Sequence, residues 1–158
     1  MVGPELEPVN VAAALDETVS FVEKELEASR IRLVREYSPD APIVRSKLAQ
    51  MQQVFLNLIN NGLDAIGQDG ELRLSVRTAD GGVVVQVSDT GPGIPEKDLA
   101  KIFEPFFSTK RGDQHHTGLG LAICREIMQG LGGRISVEST PGTGTVFSLW
   151  FPRERAGA

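Results

Sequence analysis

The chain has 158 residues, 41% hydrophobic and 23% charged, with a formal net charge of −5 and a pI near 5.1. That length suits one domain with a real core, and the acidic balance speaks against a nucleic-acid partner gripped through its phosphates. Cys124, the single cysteine, excludes an internal disulfide and a multi-cysteine metal site and suits a cytoplasmic, reducing setting. No apolar run approaches the roughly 18–20 residues of a membrane span, so no direct membrane contact is expected, and Met1-Val-Gly-Pro leads into acidic residues rather than a signal peptide.

Residues 1–8 carry Pro4 and Pro8 and read as a linker remnant or the start of an edge strand. Asn10 suits the N-cap of a helix of about 18 residues, with Leu15, Val19, Val22 and Leu26 at helical spacing. Ile31, Leu33 and Tyr37 alternate with charged residues as a strand, and Ser38-Pro-Asp-Ala-Pro closes it as a turn. A second helix spans about Lys47 to Ile66, its core stripe running through Leu48, Met51, Phe55, Leu58, Ile59 and Ile66. Its other side holds Gln53, Asn57, Asn60, Asn61 and Asp64. Asparagine is a poor helix former, and with Gly62 nearby it lowers propensity without a structural return. Rules broken in this way usually mark a site. Asn57 and Asn61, four apart, stack on one face, where their amide oxygens suit a hard cation or a hydrogen-bonded ligand. A fraying, solvated helix end near Gly67 explains the same composition.

Glu71 to Thr78 alternates with Leu72, Leu74 and Val76 inward, and Asp80-Gly-Gly turns it into Val83 to Pro95. Val83, Val85 and Val87 share one face of that strand, which delivers Asp89 to the sheet end. Beyond it, Gly91 and Gly93 let a flat or charged group approach the backbone, and Pro95 opens a short helix, Glu96 to Ile102. Alone, Asp89-x-Gly-x-Gly reads more readily as a turn with an N-capping aspartate than as a site. The aromatic cluster Phe103 to Lys110 follows. Arg111 to Thr117 offers no core residue and reads as a mobile loop. Gly118 to Leu121 opens a helix to about Leu131, on which Leu121, Cys124, Ile127, Met128 and Leu131 form the buried stripe. Arg134 to Ser139 and Thr145 to Phe151 are strands joined through Thr140-Pro-Gly-Thr-Gly. This order predicts a two-layer α/β sandwich: a mixed, mostly antiparallel sheet with three helices on one face. Arg73, Ser75, Arg77, Gln86 and Ser88 fall on its more polar face.

A glycine loop at a helix start suits phosphate, but neither glycine loop matches G-x-x-x-x-G-K-[ST] or G-x-G-x-x-G. The informative fact is the order of four features: Asn57/Asn61, Asp89-x-Gly-x-Gly, Phe103 to Lys110, and Gly118-x-Gly120. In that order N-L-I-N-N-G-L-D-A-I resembles the N box of sensor histidine kinases, and D-T-G-P-G-I-P their G1 box. F-E-P-F-F-S-T-K is similar to the F box, G-L-G-L to the G2 box, and P-G-T-G-T-V-F to the final G-x-G strand. The resemblance runs from about Lys47 to Phe151. The F box has the flavour of nitrogen- and oxygen-regulatory kinases.

The resemblance implies a Bergerat-fold catalytic domain over residues 9–152, with a tail at 153–158, that binds ATP and Mg²⁺. It implies that Asp89 accepts the adenine amino group in a pocket shaped by Gly91, Gly93 and Ile94, that Thr145 reaches the base through water, and that Asn61 ligands the metal. It places Asn57 and Lys110 near the transferred phosphate as catalytic groups. Asp64, Phe106, Thr117, Gly118, Leu119, Gly120 and Leu121 complete the implied nucleotide set, and residues 107–117 form the lid. Related gyrase, mismatch-repair and chaperone ATPases carry a glutamate where Asn57 sits. An amide cannot take a proton near neutral pH, so Asn57 argues for transfer over hydrolysis. The phosphoacceptor histidine motif is missing, and His115 and His116 sit in the polar loop as lid residues. An excised domain is therefore expected, inactive until it meets a histidine phosphoacceptor and dimerisation domain, with a response regulator downstream. The alternatives are a hydrolytic or anti-sigma-type serine-kinase relative and a catalytically silent nucleotide-binding module.

Overall fold

The computed structural model describes residues 6–40, 42–107 and 120–153. At its centre lies the hairpin of β4 (Glu71–Ala79) and β5 (Gly82–Asp89). Its turn has positive φ at Asp80 (53°) and Gly81 (72°), the two-residue geometry whose twist matches the flanking strands. Outside it, β2 (Arg32–Tyr37) runs parallel to β4, and β7 (Gly144–Pro152) runs antiparallel to β5. With β6 (Arg134–Thr140) on the far edge, the five-stranded sheet has the order β2-β4-β5-β7-β6. The mixed, mostly antiparallel sheet expected from the sequence is present.

The helical layer comprises α1 (Val11–Ser20), α2 (Glu23–Ala28), α3 (Leu48–Ile66) and α5 (Gly120–Gly130), with α4 (Glu96–Leu99) a single turn. The central α3 packs against α1, α5, β4 and β5. Its Met51, Val54, Phe55, Leu58 and Ile59 are fully buried, as are Leu72, Leu74, Val83, Val85 and Leu149 of the sheet. Phe55 meets Phe151 edge-to-face at 6.2 Å between ring centroids. Each such buried apolar side chain contributes about 1.5–3 kcal/mol. On the opposite sheet face Ser75 donates to Gln86 and Gln86 to Ser148, a cross-strand polar row at 3.4 and 3.1 Å. No helix among the described residues is long and apolar enough to cross a membrane.

Three details differ from the sequence expectation. The first helix is two: Asn10 caps it, its Oδ1 accepting from the Ala13 amide at 3.0 Å, but α1 stops at Ser20. Thr18 Oγ1 donates back to the Ala14 carbonyl, and Val22 N bonds Val19 O, a three-residue step. A hydroxyl bonded to the preceding turn bends a helix, and here it tips α2 so that Val22 and Leu26 remain in the core. An unexpected strand, β3 (Ile43–Ser46), follows the proline turn and pairs with β1 (Glu7–Asn10), whose Glu7 and Pro8 follow the edge-strand alternative for the N-terminal segment. The short helix expected to reach Ile102 ends at Leu99, although Ile102 is buried.

Candidate functional site

The antiparallel register of β5 and β7 ends by placing Asp89 directly opposite Thr145. Leu72 of β4 flanks Asp89 on its other side. Asp89 therefore stands where the sheet opens, on a backbone held by ladders on both edges. Its Oδ1 accepts the Gly91 amide at 2.8 Å, the local aspartate turn that the D-x-G pattern offers. The turn and the site are thus the same object: a carboxylate oriented by the loop it starts.

That loop is clamped on two sides. A Cβ at Gly91 would stand 2.8 Å from the Ala65 carbonyl oxygen of α3, so the loop rests on the asparagine helix with room only for hydrogen. At Gly93 φ is +81°, and a Cβ would stand 2.5 Å from the Thr140 carbonyl oxygen. Across the loop, Gly142 N donates to Pro92 O at 2.7 Å, and Ile94 N donates to Ser139 Oγ at 2.7 Å. Gly144 completes the clamp: with φ +145°, its missing Cβ would overlap the Asp89 carbonyl oxygen. Only glycine tolerates both that dihedral and that approach.

The asparagine face lies one helix turn away. Asn57 Nδ2 donates to the Gly120 carbonyl at 3.4 Å and to Cys124 Sγ at 3.6 Å, tying α3 to the first turn of α5. Cys124 is buried, and desolvation pushes its thiol pKa up to about 11, against a smaller opposing effect from the Asn57 amide. Asn61 is half-buried on the same helix, and Asp64 is exposed beyond it. Among the described residues no cluster of three or more His, Cys, Asp or Glu could hold a metal. Asn61 carries a neutral amide oxygen, the donor type that a hard cation accepts when its other ligands come from outside the protein.

The structure thus gathers Asp89, Gly91, Gly93, Ile94 and Thr145 around one strand end, and joins Asn57 to Gly120. Leu121 is half-buried on α5. Phe106 is not gathered: it is 77% exposed with φ 68°, whereas Phe103 and Phe107 pack against the core. Lys110, Thr117, Gly118, Leu119, His115 and His116 lie outside the described residues. Ser139 lies outside every quoted motif, and Ala65, though within the asparagine stretch, contributes only its backbone carbonyl. A hydroxyl following Ile135 and Val137 on the inward face of β6 was the available clue to Ser139.

A family profile described as histidine kinase-, DNA gyrase B-, and HSP90-like ATPase matches residues 46–155. The sensor histidine kinase ZraS of Escherichia coli K12 is 33% identical over 147 residues, 93% of this chain and 31% of that protein. The sensory histidine kinase/phosphatase NtrB of Rhodobacter capsulatus is 38% identical over 167 residues, 94% of this chain and 44% of that protein. The chain therefore spans less than half the length of these relatives. Among solved structures, a nucleotide-free catalytic domain of the histidine kinase ThkA superposes with a TM-score of 0.86 at 32% identity, covering 95% of this chain and 97% of that one. Full-length ShkA in complex with AMPPNP gives 0.87 at 27% identity, over 99% of this chain and 33% of that one. ThkA in complex with the response regulator TrrA gives 0.82 at 28% identity, over 97% and 43%.

Proposed function

The chain belongs to the histidine kinase-, DNA gyrase B-, and HSP90-like ATPase family, and from that premise we propose that it is the ATP-binding catalytic domain of a sensor histidine kinase. It holds Mg-ATP and passes the γ-phosphoryl group to a histidine on a dimerisation and phosphoacceptor domain, in a cytoplasmic protein segment. A response regulator then receives the group. In the transfer, an imidazole nitrogen bonds the γ-phosphorus as the bond to the β,γ-bridging oxygen breaks, leaving phosphohistidine and ADP.

The observation that carries this reading is the pairing of Asp89 with Thr145 above a loop that rests on the Ala65 backbone. It supports a flat heterocycle with an amino group for Asp89, stacked over glycine backbone. One helix turn from Ala65, Asn61 offers its amide oxygen to a magnesium ion, which when bound supplies charge neutralisation for the phosphates. Asn57 lies nearer α5 and, as a donor to Gly120 O, orients that helix start toward the phosphates. Lys110, Thr117, Gly118 and Leu119 are assigned to phosphate contacts on sequence resemblance, and Asp64 and Phe106 to the site margin. Within this reading the domain extends from β1 to Pro152.

Hydrolysis is the poorer reading because the Asn57 amide has no atom basic enough near neutral pH to deprotonate water. Calorimetric titration with Mg-ATP, followed by phosphotransfer to a supplied histidine-bearing helical hairpin, tests the assignment. Saturable binding and labelled hairpin are expected. Absent binding, or rapid multiple-turnover phosphate release by the chain alone, would overturn it.

A further inference from the structure

We propose that Ser139 is a positioning residue for base recognition, and that it sets the Thr145 hydroxyl as a hydrogen-bond acceptor toward the nucleotide. The proposal rests on the reading of Asp89 and Thr145 as the base-facing pair. It concerns a residue outside every glycine and asparagine motif.

Ser139 sits at the end of β6, half-buried, opposite Thr145 in the β6–β7 ladder. A serine hydroxyl has one proton and two lone pairs, and Ser139 Oγ meets three partners. The Ile94 amide lies 2.7 Å away and can only donate. The Gly144 carbonyl lies 3.0 Å away and can only accept, so it takes the serine proton. The third contact, to Thr145 Oγ1 at 2.9 Å, could run either way taken alone. With the serine proton committed to Gly144, the proton in this contact is threonine's. All three positions on the serine oxygen are then filled.

Two consequences follow for the strand end. Thr145, only 5% exposed, has no proton left, so its oxygen meets a ligand as an acceptor. Asp89, directly across the ladder, is an acceptor as well. Two acceptors side by side favour an exocyclic amine, which brings donors to both, and disfavour a carbonyl oxygen, which brings none. The ligand class is therefore a 6-aminopurine nucleotide rather than a 6-oxopurine one. Through Ile94 and Gly144, the same hydroxyl also fixes the far end of the glycine loop and the turn against Asp89. Loop position and hydroxyl polarity thus depend on one oxygen.

The test compares ATP with inosine triphosphate, which carries oxygen in place of the amine, by competitive titration in the presence of Mg²⁺. Ser139→Ala returns the threonine proton to the site. We expect it to weaken ATP binding by about 3–10-fold and to shrink the preference for ATP over inosine triphosphate by a similar factor. Thr145→Val should shrink the preference likewise, and the double variant should shrink it no further. An unchanged preference in Ser139→Ala, or additive losses of preference in the double variant, would overturn the proposal. If Ser139→Ala does not fold, an unchanged preference in Thr145→Val overturns it alone. Asp89→Asn separates the two levels: wild-type-like ATP binding by that variant removes the base-facing reading itself, and the Ser139 role with it.

Discussion

The two ends of the candidate site are built by different means. At the Asp89 end, nearly every constraint is backbone: ladders on both sides, glycines pressed against carbonyls of α3 and the β6–β7 turn, and one serine hydroxyl. At the Asn57 end a side-chain amide reaches across to α5 with two long contacts, 3.4 and 3.6 Å, and the segment between Phe107 and Gly120 lies outside the described residues. Selectivity for a rigid, flat group suits the first construction. A group whose charge is redistributed during transfer suits the second, where a side chain can shift by an ångström without disturbing a sheet.

The contrast can be broken from the backbone end first. Gly144→Ala combines a φ of +145° with overlap on the Asp89 carbonyl. It should cost about 2–4 kcal/mol in urea unfolding and take nucleotide binding with it. Asp89→Asn keeps the fold and turns an acceptor into a partial donor. Its melting curve should stay near wild type while Mg-ATP binding falls by about 10–150-fold in calorimetry, the range for a charge-assisted hydrogen bond. If both substitutions gave the same modest loss, the backbone end would not be the more sharply specified one.

At the side-chain end the effects should be smaller. Asn57→Asp is isosteric but sets an acceptor against the Gly120 carbonyl. The expected penalty is about 1–3 kcal/mol in chemical denaturation, with ATP binding weakened less than by Asp89→Asn. Phosphotransfer to a supplied histidine domain should fall further than binding does.

Cys124 gives the mildest test. Burial raises its thiol pKa from the ordinary value of 9.0 to about 11, so the folded chain holds that proton more tightly than the unfolded chain. Its contribution to stability is full below pH 9 and declines as pH rises toward 11. Cys124→Ala should flatten that part of the stability profile, and a profile equally steep in both proteins would remove the thiol as its cause. Thiol alkylation of the folded wild type at neutral pH should be slow.

Legibility in the sequence divides along similar lines. Period-two valines with Asp80-Gly made the β4–β5 hairpin plain, and asparagines out of place on α3 marked a face that needed another explanation. β3 escaped because Pro42 completed a turn signal, although Ile43 to Ser46 alternates exposed and buried. The break between α1 and α2 escaped because the buried stripe continues through it; only Thr18's bond to the preceding turn reveals it. Asp89 was legible as a strand-end carboxylate, but its setting was not. Ala65, Thr140 and Ser139 act through a carbonyl or a hydroxyl brought close by sheet register, and spacing along the chain carries no trace of that.

The ladder that pairs Val83 with Phe151 and closes with Asp89 opposite Thr145 also acts as a ruler. Strand side chains alternate faces, so shortening β5 by one residue would invert every side chain beyond the deletion. Asp89 would fall opposite Val146, on the other face, while Thr90 took its place opposite Thr145. Length variation in this chain should therefore be tolerated at the Asp80–Gly81 turn, where the ruler begins, and excluded between Val83 and Asp89. An insertion library scored for folding and nucleotide retention should show a sharp edge at Val83.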